Sequence, residues 1–179
     1  YCRLPAVQFK TCAGAIDPIT VRGLDTDKGY IFYVVNTLSS PVKVRINFSK
    51  VSNLTRLATG EKLNPEPLEL NLKSFQTMTF KAENGTVIEK VSSDIPQMVT
   101  QRIGSQVSWL KKLNSESGKY RLNNGQRRNL SNATREIENL WSKGYITRIR
   151  LLLENGMMKR LFKSCKSYPP EYTDYPVAK

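Results

Sequence analysis

The sequence offers few side chains suited to catalysis. None of its 179 residues is histidine, the commonest general acid or base near neutral pH, so Ser-His-Asp and Cys-His arrangements are excluded. The 15 Asp and Glu residues could supply a catalytic carboxylate pair, but none stands in a context typical of catalysis. Glu69 alternates outward on a predicted strand, and Glu136 and Glu138 lie on the polar side of a predicted helix. We therefore expect no catalytic residue, and no enzymatic activity of the chain by itself.

Three cysteines, Cys2, Cys12 and Cys165, are the remaining reactive side chains. Cys2 and Cys12 are close enough in sequence to form a disulfide, which would tie down the amino-terminal segment. The alternative is that all three are buried or incidental thiols. A closed zinc site needs four Cys or His ligands, and the sequence contains no glycine loop of the kind that binds phosphate. We therefore expect neither a metal ion nor a cofactor.

Positive charge is the strongest chemical feature of the chain. The formal net charge is +13, and residues 95–179 carry 16 Lys and Arg against 6 Asp and Glu, whereas residues 1–94 carry 12 against 9. The basic candidates lie in three clusters: Arg127 and Arg128; Arg148 and Arg150; and Lys159, Arg160 and Lys163. Such charge suits an anionic glycan or another polyanion. The alternative is a solvated helical surface, in which basic residues near helix carboxyl ends complement the helix dipole.

Aromatic residues could form a platform for sugars or bases. Trp141 lies on the apolar face of a predicted helix, so we expect it to pack in the core. Trp109 lies beside the apolar stripe of another predicted helix, so we expect it to pack against the sheet. Nucleic-acid readers combine basic clusters with a recognisable fold or with stacking aromatics on a sheet. Neither is evident here, so nucleic acid is not the expected partner.

The first half of the chain has the pattern of short strands. Residues 41–48 and 68–72 alternate apolar and polar side chains, and residues 29–36 are apolar on both faces, as in a central strand. Asn84-Gly85 is a strong signal for a two-residue hairpin turn. The other predicted strands cover residues 19–24, 54–58, 76–82 and 86–91. About seven short strands with turn signals between them favour an antiparallel β-sandwich.

The second half has helical periodicity. A helix is predicted to begin at Ser93-Asp94-Ile95-Pro96, because a capping residue followed by proline marks a helix start. After a loop over residues 115–125, a second helix ends at Gly144, and a third follows with an interruption at Asn155-Gly156. The tail over residues 167–179 is expected to be extended. The sequence therefore predicts an α+β protein, with a sandwich over residues 1–94 and a basic three-helix segment over residues 95–179.

A family resemblance rests on several motifs of the strand-rich half. These are the strand that ends in Asn36, the strand over residues 41–48, the turn Thr59-Gly60-Glu61 and the run Leu-x-Leu-x-Leu at residues 68–72. The stretch from Tyr30 to Phe80 thereby resembles the accessory β-sandwich that follows the catalytic domain in many secreted bacterial glycoside hydrolases. Residues 140–154 are similar to the short helical extension that often trails such modules in carbohydrate-degrading proteins of gut bacteria.

The resemblance implies a non-catalytic, structural module of a secreted carbohydrate-active enzyme. Its partner would be the catalytic domain of the same polypeptide, with polysaccharide as a further ligand, and its location would be secreted, cell-surface or periplasmic. The second hypothesis is a stand-alone binding module for an anionic glycan or other polyanion, acting through the basic helical half. No apolar stretch approaches the roughly 20 residues needed to span a bilayer, so we expect a soluble excerpt of a larger extracellular protein.

Overall fold

The computed structural model describes residues 7–12, 17–65 and 67–170. The chain divides into two compact units between Pro96 and Gln97. In the described residues, strands occupy the first unit and helices the second. The predicted α+β class, with a β-sandwich followed by helices, is therefore confirmed.

Two antiparallel sheets form the first unit. In chain order, its described strands are β1 Lys10–Thr11, β2 Ile19–Thr26, β3 Gly29–Asn36, β4 Val42–Lys50, β5 Thr55–Arg56, β6 Leu68–Leu72, β7 Thr77–Ala82 and β8 Val87–Asp94. One sheet has the order β1-β2-β3-β7-β5, and the other has the order β6-β4-β8. The strand predicted to be central, β3, lies in the middle of the five-stranded sheet.

Side-chain alternation builds the core between the two sheets. The four apolar residues of β4 from Val42 to Phe48 are buried, while Lys43 and Arg45 between them are exposed. Phe32 of the five-stranded sheet stacks on Phe80 with ring centroids 5.1 Å apart. The Phe32 ring also meets the edge of Phe48 in the other sheet at 6.0 Å. Each such side chain contributes about 1.5–3 kcal/mol through burial, and the phenylalanine contacts join the two layers.

A buried asparagine closes one end of the sandwich. Asn36 is fully buried at the end of β3. Its Nδ2 donates to the carbonyl oxygens of Ser40 at 2.8 Å and Lys73 at 2.9 Å, and its Oδ1 accepts from the amide of Leu38 at 2.9 Å. The side chain thus ties together two loops that are far apart in sequence. A buried amide with these partners is satisfied, whereas a buried polar group without them is costly.

The largest differences between the predicted and the observed strands concern β1, β5 and β8. The short strand β1 was not predicted, and the strand predicted over residues 54–58 is only β5, Thr55–Arg56. β5 ends early because the amide of Gly60 donates to the carbonyl of Arg56 at 2.8 Å and forms a turn. The last strand, predicted to end at residue 91, runs to Asp94.

The predicted start of the first helix was wrong by a few residues. Ser93 and Asp94 continue β8 and pair with Val44 and Lys43 of β4, so they do not cap a helix. The first helix begins only at Gln97, after Pro96. Backbone pairing with a neighbouring strand outweighed the local capping signal, since that pairing depends on residues about fifty positions away in the chain.

Four α-helices form the described part of the second unit. They are α1 Gln97–Ser115, α2 Asn124–Ser142, α3 Ile146–Glu154 and α4 Gly156–Cys165, with a short 3₁₀ helix Ser117–Lys119 before α2. The predicted third helix is thus two helices, and the predicted interruption lies at Asn155. The Asn155 backbone is extended, and its Oδ1 accepts a hydrogen bond from the amide of Met158 at 2.9 Å, which caps α4.

Both tryptophans take part in packing within the helical unit. Trp109 meets the ring of Phe162 edge-on, with centroids 5.1 Å apart. Trp141 lies over Gly104, where an added Cβ would be 3.4 Å from the indole ring. Buried Gln106 holds the chain after α4 by donating to the carbonyl of Pro170 at 3.0 Å. The rest of the predicted extended tail lies outside the described residues.

Candidate functional site

Gln126 connects the start of α2 to α4. The Asn123 Oδ1 accepts from the Gln126 amide at 2.8 Å, and the Gln126 Oε1 accepts from the Asn123 amide at 3.0 Å, so the two residues form a capping box. The remaining Gln126 donor, Nε2, reaches the hydroxyl of Ser164 on α4 at 3.2 Å. The Gln126 side chain therefore takes part in capping α2 and also forms a hydrogen bond with α4.

Arg127 follows directly after this contact. Its Nε donates to the carbonyl of Leu122 at 3.2 Å, so the guanidinium group is anchored while the residue remains exposed. Because an α-helix turns about 100° per residue, Arg128 lies about 200° around α2 from Gln126, on the opposite side of the helix. Arg127 and Arg128 therefore differ by about 100° in direction, and only Arg128 lies opposite Gln126.

The helix-dipole explanation does not apply to these arginines. Arg127 and Arg128 lie near the amino end of α2, and the first turn of that helix holds no acidic residue. Cations are favoured near the carboxyl end of a helix and disfavoured near its amino end. By contrast, Lys163 does lie in the last turn of α4. The helix dipole therefore explains the position of Lys163 but not the positions of Arg127 and Arg128.

Lys159, Arg160 and Lys163 share the outer face of α4. All three are exposed, whereas the opposite face is buried and consists of Met158, Leu161, Phe162 and Cys165. Arg160 also lies one turn before Ser164, whose hydroxyl donates to the Arg160 carbonyl at 3.0 Å. Arg127 is thus the next residue in the chain after Gln126, and Arg160 lies one helical turn before Ser164. Arg127, Lys159, Arg160 and Lys163 are hereafter called the α2–α4 surface.

The predicted pair on α3 points in two directions. Arg148 is exposed and lies over the ring of Tyr145, with its Cζ 4.8 Å from the ring centroid. Arg150 is half-buried, and its Nε lies 3.8 Å from the Glu154 carboxylate. Residues two apart on a helix differ by about 200° in direction. Arg148 and Arg150 therefore do not form one cluster, and the charge of Arg150 is compensated by Glu154.

A second polar surface lies on the outer face of the three-stranded sheet. A cavity of about 340 Å³ lies on this surface, and its polar lining consists of Lys43, Arg45, Glu69, Asn71, Ser92 and Asp94. Glu69 points outward as predicted and accepts from Arg45 at 2.6 Å. Both side chains are more than half exposed, and such pairs contribute about 0–1 kcal/mol. The mixed charges of this surface give it no preference for one sign of ligand.

The described cysteines have the character of unreactive thiols. Cys12 Sγ lies 3.2 Å from the Tyr30 hydroxyl; burial raises the pKa of the Cys12 thiol, and the contact with Tyr30 partly opposes that rise. Burial also raises the pKa of Cys165. A raised pKa lowers the thiolate fraction, and the thiolate is the reactive form. Cys2 lies outside the described residues, so the Cys2–Cys12 disulfide stays a prediction.

The described residues contain neither a cluster of metal-binding side chains nor a helix suited to cross a membrane. In residues 7–12, 17–65 and 67–170, no three His, Cys, Asp or Glu side chains come close enough together to hold a metal ion. None of the helices in that part of the chain has both the length and the apolar character needed to cross a membrane.

Comparison with known proteins gives no relative. The chain matches no protein-family model, and neither a curated protein nor a solved structure is significantly similar to it. The family resemblance of the sequence therefore stays a prediction.

Proposed function

We propose that this chain is a non-catalytic binding module that holds an anionic glycan on the α2–α4 surface. The observation that carries the proposal is the Gln126–Ser164 hydrogen bond at 3.2 Å. It joins basic segments that are separated by some thirty residues in sequence. Clustered cations attract a polyanion more strongly than the same cations dispersed, because the charges act on neighbouring groups of one chain.

The lack of ion pairs on this surface, within the described residues, supports the proposal. Lys111, Lys119 and Arg150 form ion pairs with glutamates of the helical unit. By contrast, within the described residues, no acidic side chain forms an ion pair with any member of the α2–α4 surface. Their positive charge is therefore available to a ligand from outside the chain.

The setting of the module is a second proposal. The β-sandwich followed by helices is the architecture that the resemblance to accessory modules of glycoside hydrolases implies. In that setting the sandwich would support or orient a catalytic domain of the same polypeptide, in a secreted, cell-surface or periplasmic enzyme. The test is to add this chain to such a catalytic domain and measure the stability and glycan turnover of that domain. Unchanged values would refute the structural role.

The binding proposal is tested by titrating the full chain with polygalacturonate, heparin and a neutral dextran at low and high salt. We expect binding to at least one anionic polymer, loss of that binding at high salt, and no binding to dextran, because exposed charges are screened by salt. A variant with Lys159, Arg160 and Lys163 changed to Gln should bind more weakly. The matched control changes Lys43, Lys73 and Lys90 of the sandwich to Gln. An equal loss of affinity in this control would show that binding depends only on net charge and would refute the role of the α2–α4 surface.

A further inference from the structure

Three Asn-Gly pairs occur in the sequence, at residues 84–85, 124–125 and 155–156. In such a pair the backbone nitrogen of glycine can attack the side-chain amide carbon of the preceding asparagine, because glycine has no side chain to obstruct the approach. The attack forms a cyclic succinimide and releases ammonia, and water then opens the ring. Since the three dipeptides are identical, their surroundings decide which of them reacts in the folded protein.

The pair at residues 155–156 is held at the start of α4. The Oδ1 of Asn155 accepts from the amide of Met158 at 2.9 Å, and the Asn155 carbonyl accepts from the amide of Lys159 at 3.0 Å. Ring closure requires the Asn155–Gly156 peptide unit to rotate until the glycine nitrogen faces the side-chain carbon. This rotation and the release of the side chain would break both hydrogen bonds and open the first turn of α4.

The pair at residues 124–125 is held in the first turn of α2. That helix begins at Asn124, directly after the capping box of Asn123 and Gln126. The carbonyl of a helical residue accepts a hydrogen bond from the amide four residues later. Rotation of the Asn124–Gly125 peptide unit would turn this carbonyl away from its donor, so the reaction there also requires the helix start to open.

The pair at residues 84–85 lies in a turn between β7 and β8. Thr86 closes the turn, since its amide and its hydroxyl donate to the carbonyl of Glu83 at 3.3 and 2.7 Å. Asn84 is exposed, and Gly85 has a φ of 80°. Within the described residues, neither Asn84 nor Gly85 forms a hydrogen bond. The peptide unit between them can therefore rotate, as between turn types I and II, while the bonds that close the turn persist.

We propose that Asn84 is a site of spontaneous deamidation in the folded protein, and that the helix starts protect Asn124 and Asn155. The Gly85 nitrogen bonds to the Asn84 side-chain carbon, the bond from that carbon to the amide nitrogen breaks, and the proton of Gly85 ends on the departing ammonia. Addition of water to the ring yields aspartate or isoaspartate. The new carboxylate lies near Lys50, whose Nζ is 3.5 Å from the position that a Cβ of Gly85 would take. This inference is independent of the proposed binding function.

The test incubates the full chain at mildly alkaline pH and follows deamidation by mass spectrometry after tryptic digestion. Cleavage after Lys and Arg places the three pairs in separate peptides, over residues 82–90, 122–127 and 151–159. We expect Asn84 to react at least about five-fold faster than Asn124 or Asn155, because opening a capped helix start costs the free energy of the cap. Equal rates at the three pairs in the folded protein would overturn the proposal.

Unfolded protein separates the effect of structure from that of sequence. In concentrated urea the three pairs should react at similar rates, and a preference for Asn84 that persists there would overturn the structural explanation. An Asn84 that stays intact in the folded protein while the unfolded chain reacts would overturn the site itself. The variant Asn123→Ala removes the cap of α2, so it should accelerate the reaction of Asn124 and leave that of Asn84 unchanged. An unchanged rate at Asn124 in this variant would refute protection by the cap.

Discussion

Replacing Gly23 with alanine should destabilise the sandwich because Tyr30 occupies the space above that glycine. A Cβ added at Gly23 would overlap the Oη and Cζ atoms of Tyr30 and lie 2.8 Å from its Cε2. The ring cannot move without cost, because it stacks with Phe32 at 5.9 Å and its hydroxyl contacts Cys12 Sγ at 3.2 Å. A strand glycine covered by a cross-strand aromatic is a known way to fill the gap left by the missing side chain.

The size of the effect follows from two opposing contributions. Overpacking of this kind costs about 1–3 kcal/mol. Alanine also restricts the unfolded chain, which stabilises the protein by about 0.4–1 kcal/mol where the backbone suits it. We therefore expect Gly23→Ala to lower the free energy of unfolding by about 1–2 kcal/mol.

Urea denaturation followed by far-ultraviolet circular dichroism would measure the change. Gly118→Ala is the matched control, because an added Cβ there has no heavy atom within 4 Å, and it should leave the midpoint unchanged or raise it. In a Tyr30→Ala background, Gly23→Ala should lose its cost, since the overlapping ring is gone. A Gly23→Ala protein as stable as the unchanged chain, or the same cost in both backgrounds, would refute the steric argument.

Three further predictions concern single side chains of the sandwich. Asn36→Ala removes the partner of one buried amide and of two part-buried carbonyls and should cost roughly 2 kcal/mol or more in urea denaturation, while the exposed control Asn71→Ala should cost less than roughly 1 kcal/mol; similar values for both would contradict the role of the Asn36 hydrogen bonds. Burial, with help from the Cys12 contact, raises the pKa of Tyr30 above its ordinary value of 10.0, so its contribution to stability is present below pH 10.0 and is lost as the pH rises further. Tyr30→Phe should therefore flatten the alkaline fall in thermal stability, and an unchanged fall would show that other groups cause it. In a double-mutant cycle of Arg45→Ala and Glu69→Ala, the coupling energy between the two side chains should be less than about 1 kcal/mol. A larger coupling energy would show that the pair is more than a solvated surface contact.

Local patterns explain why the order of the elements could be predicted. Period-two alternation in β4 and β6 is a property of neighbouring residues, and so is the capping asparagine at residue 155. The hairpin predicted at Asn84-Gly85 was wrong, because β7 and β8, the strands that this turn joins, lie in different sheets and do not pair with each other. The errors arose where distant residues decide. The amino end of a helix could not be distinguished from the end of a strand at Ser93-Asp94, because the pairing of β8 with β4 is a long-range interaction.

The candidate site shows the same division more clearly. The sequence identified the basic residues but grouped Arg127 with Arg128 and Arg148 with Arg150, because adjacency in the chain was the only guide. Helical geometry turns the members of each pair in different directions.

The sequence by itself determined the α+β class, the order of strands and helices, the excess of positive charge in residues 95–179 and the lack of histidine chemistry. These properties follow from composition and from spacing within a few residues. Tertiary structure alone decided that Asn36 joins two loops, that Tyr30 covers Gly23 and that Gln126 brings the start of α2 to Ser164. The physical reason is that packing and hydrogen bonds between distant segments depend on the whole chain, which no local pattern encodes.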